Sequence, residues 1–327
     1  IDISTQNVEK TKKDSINEVQ IKSINNIVDR ILTLKNKEKF IKIVNKEKLI
    51  NSIIRNIIIE NEIITNNKYK AEIKFNYDQN KIINIFRKNK INYSSLISEP
   101  FLVISSYNYN LTYSSLDNKN VFMNFIKQGD KLNNFLIQFE YPNLDANDRF
   151  ILPYEKLMSQ NHESFAKLSE KYNLNQILYI QIIKKNTNQH NVDLIIFDKN
   201  KNIFEVIKKF SINNNDNIDS DFLEKLTNII LIYIDTWWKE KVMIDNSFKN
   251  SINCNIQTQN FRELNIIKSK MLQLSQIDKI IPLKFKINNQ LVNILFYGDI
   301  NILTKSLYSK GIIMNYNESC TMNLYKS

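Results

Sequence analysis

Glycine is scarce in this chain: three residues in 327. A loop that cradles phosphate needs glycines where backbone must approach the ligand, so nucleotide folds of that kind are excluded. No GxGxxG, P-loop, GxSxG or HExxH pattern occurs. The only histidines, His162 and His190, lie far apart with no cysteine neighbours, which argues against a zinc site. One sits near a helix start and the other at a hairpin, so both are expected to face solvent. No cofactor and no metal is expected. Two cysteines, Cys254 and Cys320, are too few for a disulfide scaffold but leave room for one bridge. No run of eighteen apolar residues exists. The longest candidate, "NIILIYIDTWW", is short and contains Asp235, so no membrane span is predicted.

What is present is a globular composition, with 43% apolar and 11% aromatic residues. Asparagine numbers about fifty, and lysine outnumbers arginine about eight to one. Those residues, with isoleucine, share AT-rich codons, and the scarce ones have GC-rich codons. Much of the composition is therefore read as genome bias. The formal charge of +11 is discounted accordingly. Lysines are scattered among glutamates and asparagines, with no block of five or six like charges. A solvated lysine surface outweighs a nucleic-acid interface, which is kept as an alternative.

Along the chain, a short strand at 1–4 precedes a helix with Ile16, Val19, Ile24, Ile27, Ile31 and Leu34 on one face. A second helix is expected over roughly 46–57. Strands "IIIENEIIT" and "YKAEIKFNY" then meet at Asn66-Asn67. Asp78 is a helix N-cap, Asn89 a left-handed stop, and Ile91 opens another strand. The C-terminal end repeats this order. Strand 251–257, a helix capped by Asn260 with Glu263, a hairpin at Asn288-Asn289, a helix capped by Asp299 and a stop at Gly311 follow in turn. Between them come strands such as "EPFLVISSY" and "NNFLIQFEYP", a helix over "HESFAKLSEKYNL", three successive strands, and a long helix from Asp221 to about Val242. The expectation is an α+β protein. Two βαββαβ, ferredoxin-like units (1–98 and 246–327) flank a central α/β module (99–245).

The segments "KKDSINEVQIKSINNIVDRIL", "IKFNYDQNKIINIFRKNKINY" with "EPFLVIS", "LIQFEYPNLDAND", "LSEKYNLNQILYIQI", "TWWKE" and "FYGDINILTKSLYSKGI" occur in that order. In that order the chain resembles uncharacterised exported proteins of alphaproteobacteria built on a domain of unknown function. The middle segment is similar to the N-terminal module of TolB-type periplasmic proteins. The resemblance implies a removed signal peptide and a periplasmic home, with a cytoplasmic one as alternative. It supplies no catalytic residue. The first residue, Ile1 rather than Met, fits either a fragment or a processed product.

Five constellations could carry chemistry. "DKNKN", Asp198 to Asn202, echoes a calcium loop, but Ile203 and Lys209 stand where that loop needs glycine and glutamate; a hairpin turn is the better reading. Asp216, Asp219 and Asp221 are read as cap and loop residues. Asp145 and Asp148 of "DAND" could form an acid–base pair for a hydrolase, yet no base or nucleophile partner is visible. Cys254 and Cys320 would lie on neighbouring strands if the last unit is ferredoxin-like. An oxidising compartment would then let them bridge, and two buried thiols are the equal alternative. Trp237 is placed on a core stripe with Phe222, Leu226, Ile230 and Tyr233, and Trp238 at its edge. With Lys239 they are expected to form a domain joint or interaction point rather than a ligand platform. The functional expectation is a non-enzymatic exported protein. It would act by contact with an unidentified protein partner at the cell envelope, through exposed sheet edges.

Overall fold

The computed structural model describes residues 1–327 except 5–7, 47–48, 66–67, 110–111, 115, 118–119, 129–134, 187, 215–218, 287 and 326–327. The architecture is α+β. The chain divides into two compact units, 1–96 together with 239–327, and 97–238. The expected first and third segments thus share one unit.

The first unit opens with β1 (Asp2–Ser4), α1 (Val8–Ile31), α2 (Leu34–Lys46), α3 (Ile50–Ile53), β2 (Ile54–Thr65), β3 (Lys68–Tyr77) and α4 (Gln79–Lys88). The strands form an antiparallel sheet in the order β1-β3-β2. No helix spans 46–57. The lysine-rich segment before it forms α2, which buries Phe40 and Val44 one turn apart. The isoleucines from Ile54 onward enter β2, because branching at Cβ suits a pleated strand better than a helix. Asp78 accepts from the Lys81 amide and caps α4 as expected. Asn89 keeps φ at −103°, and it is Lys90, at φ +51°, that takes the left-handed conformation. The Asn66-Asn67 turn lies outside the described residues.

The second unit holds β4 (Pro100–Tyr109), β5 (Thr112–Ser114), α5 (Val121–Gln128), β6 (Gln138–Glu140), α6 (Ala146–Ile151), α7 (Tyr154–Met158), α8 (His162–Tyr172), β7 (Gln176–Asn186), β8 (Gln189–Asp198), β9 (Ile203–Asn213) and α9 (Ser220–Lys241). Trp238 is the last residue of α9 assigned to this unit, and Lys239 the first assigned back to the other. The sheet runs β5-β4-β7-β8-β9, with β6 also on β4. β4 pairs in parallel with β6 and β7, while β7, β8 and β9 form an antiparallel meander. Strand β4, the first half of β7 and the second half of β8 are buried continuously, as expected of strands covered on both faces.

The chain then completes the first unit with β10 (Lys249–Gln257), α10 (Phe261–Leu272), β11 (Ile277–Lys286), β12 (Asn289–Tyr297), α11 (Ile300–Tyr308), β13 (Ile312–Asn315) and β14 (Cys320–Leu324). The strand order is β11-β12-β10-β14-β13. A hairpin therefore places β14, not β13, beside β10, and the pairing is parallel. Gly298 takes φ +78°, and a Cβ there would meet the Ile244 backbone at 3.2 Å. Ile244 exchanges backbone bonds with Tyr93 (2.7 and 3.3 Å), so the stretch from Ile91 makes one isolated bridge instead of a fourth strand. Ile244 is also buried in one cluster with Val28, Phe40, Ile53 and Phe86.

The parallel register sets Cys254 opposite Cys320, joined by a disulfide with Cα atoms 4.5 Å apart. Both lie in a core cluster with Ile256, Ile267, Val292 and Met322. In the chain-entropy account, closing a loop of 66 residues stabilises the fold by about 4 kcal/mol. Denatured, unreduced protein should show no reactive thiol and reduced protein two; two thiols before reduction would disprove the bridge. Reduction should also lower the urea midpoint.

Candidate functional site

Asp145 and Asp148 do come together, but as a helix cap. Asp145 accepts from the Asp148 amide (2.8 Å), and Asp148 reaches back to the Asp145 amide (3.3 Å), which completes a capping box at α6. Asp148 is 0% exposed. Its carboxylate also accepts from the Leu144 amide (2.8 Å), Lys171 Nζ (2.7 Å) and Tyr172 Oη (2.9 Å). Leu144 sits at φ +62°, an unfavourable conformation for a leucine. The Asp148 network holds it there. Capping by the Asp148 amide and hydrogen bonding to Lys171 keep Asp145 below the usual carboxylate range. Partial burial opposes the charge on Lys171, but its bonds to Asp148 and Asp145 prevail and raise it above the ordinary lysine value. With its oxygens engaged by four donors, Asp148 is occupied as a structural anchor.

His190 departs from expectation. It is 2% exposed and not solvent-facing. The register of β8 turns it onto the sheet face that carries Val192 and Leu194. There Nε2 meets Tyr107 Oη at 3.0 Å and the ring lies 5.0 Å from Phe222. Burial, helped by the charge of Lys184, holds its imidazole below the ordinary histidine value. His162 is exposed, with Nδ1 3.1 Å from Asn202 Oδ1. Asn202 itself takes φ +53° in the turn where Asp198 accepts from the Lys201 amide, so "DKNKN" is a hairpin turn. Asp219 caps α9 at the Phe222 amide, Asp221 is exposed in its first turn, and Asp216 lies outside the described residues. Among the described residues no cluster of three or more metal-donor side chains occurs.

The tryptophans exchange the roles expected of them. Trp238 is 8% exposed and continues the inward stripe Phe222, Leu226, Ile230, Ile234. Trp237 is half-buried and donates from Nε1 to Glu205 at 3.0 Å. Steps of four residues advance only about 40° around a helix, so Trp238 stays with Ile234, whereas Trp237 follows the half-buried Tyr233. Both indoles stand edge-on to Phe101, at 6.3 and 6.2 Å. Lys239 is buried, and its ammonium donates to the Asp29 carbonyl in the last turn of α1, where a cation complements the helix dipole.

Two features remain open. One is a groove of about 840 Å³ in the first unit, between the start of α4 and the turn joining α10 to β11. Its lining includes Arg55, Tyr77, Asn80, Arg87, Gln273 and Asp278. Arg87 is spent on structure: it pairs with Asp278 (2.9 Å), donates to the Ser275 and Ile277 carbonyls and lies over the Tyr297 ring. The other is the outer edge of β2, which among the described strands pairs only with β3. Ile57, Ile58 and Ile59 are exposed there, as are Ile63 (52%) and Ile64 (55%). Ile57 and Ile59 stand opposite Phe75 and Ile73 on one face, and Ile58 opposite Lys74 on the other. The sequence signalled this only as an isoleucine run, since edge position is a property of the sheet.

No protein-family model matches the chain, and no curated protein matches it.

Asp148→Ala should lower the unfolding free energy of the second unit by about 3 kcal/mol, because Lys171 and two amides lose a buried acceptor. Asp148→Asn, which keeps an acceptor oxygen, should lose roughly half of that. Urea titration followed by Trp237 and Trp238 fluorescence reads both; equal stability of all three proteins would refute the anchoring role. His190 gives a pH dependence of definite sign. Its folded value lies below its unfolded one, so its contribution is present above about pH 6.5 and is lost as the pH falls towards the folded value. His190→Gln should flatten the stability–pH curve below that point, and an unchanged acid slope would contradict the assignment.

Proposed function

We propose that this chain is an exported, non-enzymatic protein that works by protein–protein contact, made by strand addition at the β2 edge. The observation that carries the reading is an apolar strand of twelve residues, Ile54–Thr65, with one side of its backbone unpaired among the described strands. An extended partner segment would gain main-chain hydrogen bonds there and cover the exposed isoleucines. The cysteines aligned across β10 and β14 support an oxidising compartment such as the periplasm. The pairing of β11, β12 and β10 is compatible with ferredoxin-like ancestry of the last segment, with the β13–β14 hairpin as its departure. Kinship of the second unit with TolB-type modules, and membership of the alphaproteobacterial family, belong to the same proposal. Nucleic-acid binding gains little support: Lys68 and Lys74 on β3 are already paired with Asp2 and Glu60. The occupied Asp148 carboxylate gives a hydrolase little to work with.

A photocrosslinking residue at position 58 tests the reading in envelope-exporting cells. Adducts should form there and be absent when the same group replaces the exposed Tyr308 on α11. Equal yields from the two positions, or none from position 58, would reject strand addition.

A further inference from the structure

We infer that the segment added to β2 is the β2 strand of a second copy of this chain, paired antiparallel about a twofold axis through Ile58. The inference rests on the strand-addition reading and names its occupant.

Edge strands are normally protected by shortness, proline, lysine or bulges. Other edges among the described strands carry such devices. β1 and β5 have three residues each and β13 has four. β9 carries Lys208 and Lys209. β11 carries Pro282, Lys279, Lys284 and Lys286, and two register shifts. β2 is twelve residues long and has neither lysine nor proline, in a chain where about one residue in eight is lysine. Like β11 it has two register shifts, at Arg55 and at Asn61-Glu62, but they leave its middle regular.

Those two interruptions define the register. Between them lies one regular stretch, Asn56 to Glu60, centred on Ile58. Bulges end pairing. A partner strand of matching length is therefore the same five residues run in reverse. Antiparallel pairing about Ile58 sets Ile58 on its own copy, Ile57 on Ile59, and Asn56 on Glu60. Opposed residues then share a face, as the pleat requires. An isologous contact of this kind closes at two copies.

Charge selects the same direction. β2 carries Arg55 near its start and Glu60 and Glu62 beyond its middle. Antiparallel self-pairing brings Arg55 opposite Asn61, between those two carboxylates of the other copy. Parallel pairing would oppose like charges. Glu60 and Glu62 are each held by one lysine, Lys74 and Lys12. The strand thus meets its copy without strong local repulsion, although the whole chain carries +11. Five residue pairs make a small contact beside the roughly 1,200–2,000 Å² of stable complexes, so the dimer should dissociate on dilution.

Light scattering behind size exclusion, run on the full chain over a concentration series, tests this. The expected result is a monomer–dimer equilibrium that Ile58→Lys abolishes, with an unchanged circular-dichroism melt. Ile58→Cys should give a covalent dimer on a non-reducing gel, because opposed Cβ atoms in this register stand within disulfide reach. Ile63→Cys, outside the regular stretch, should not. Arg55→Glu should weaken the dimer about tenfold at low salt and less at high salt. A monomer at every concentration would overturn the inference, as would a dimer that survives Ile58→Lys. A monomer that still gives foreign-protein adducts from position 58 would overturn the second copy but keep strand addition. A monomer with no adduct would remove both.

Discussion

The two hydrogen bonds between Tyr93 and Ile244 hold the first unit together. They join segments separated by the whole of the second unit. Around them, Ile244 is packed with residues from α1, α2 and α4, and Gly298 clears the space its backbone needs. Neighbouring polar groups follow the same seam. Asn246 donates to the Ile91 carbonyl, Ser94 to the Lys239 carbonyl, and Arg87 to the turn before β11. Together these bonds and this packing keep the N-terminal segment beside the C-terminal one.

Two buried charged groups among the described residues are held at helix ends by backbone groups. Lys239 supplies a cation to the end of α1, and Asp148 supplies an acceptor to the start of α6. A buried group of this kind costs several kcal/mol unless its bonds are made, so its partners fix its position. That explains why the carboxylate pair of "DAND" is found as the capping box of α6. The same reasoning singles out β2. Its outer backbone edge is unpaired among the described strands, and its isoleucines are exposed.

Much of the local structure was legible from residue type. Asp78, Asn260 and Asp299 cap helices where their spacing indicated, since a short polar side chain before an apolar period has one favourable use. Gly311 ends its helix at φ +73° for the same local reason. The strand alternation through Tyr69 and Ala71 was equally plain, and both are buried. Other features were not legible. Strands do not announce their neighbours: the Cys320 strand was expected beside the Cys254 strand only if the unit were ferredoxin-like, and the β13–β14 hairpin that makes the pairing parallel is a property of the whole sheet. A hairpin position does not say which face a side chain takes, so His190 was misplaced. Nor does a helical stripe fix its own centre, which lies on the buried line of Ile230, Ile234 and Trp238 rather than on Tyr233 and Trp237.

The amino-acid sequence by itself determined helix starts, strand periods and the lack of nucleotide-binding loops, because these depend on residues within one or two turns of each other. It also determined that β2 would be an apolar strand. Only the tertiary structure decided that β2 is an edge, that Cys254 faces Cys320, and that Asp148 is enclosed by Lys171 and Tyr172. Each of these depends on which distant segments become neighbours. That is settled by the sum of many burial and hydrogen-bond terms over the whole unit, none of them visible in a local window.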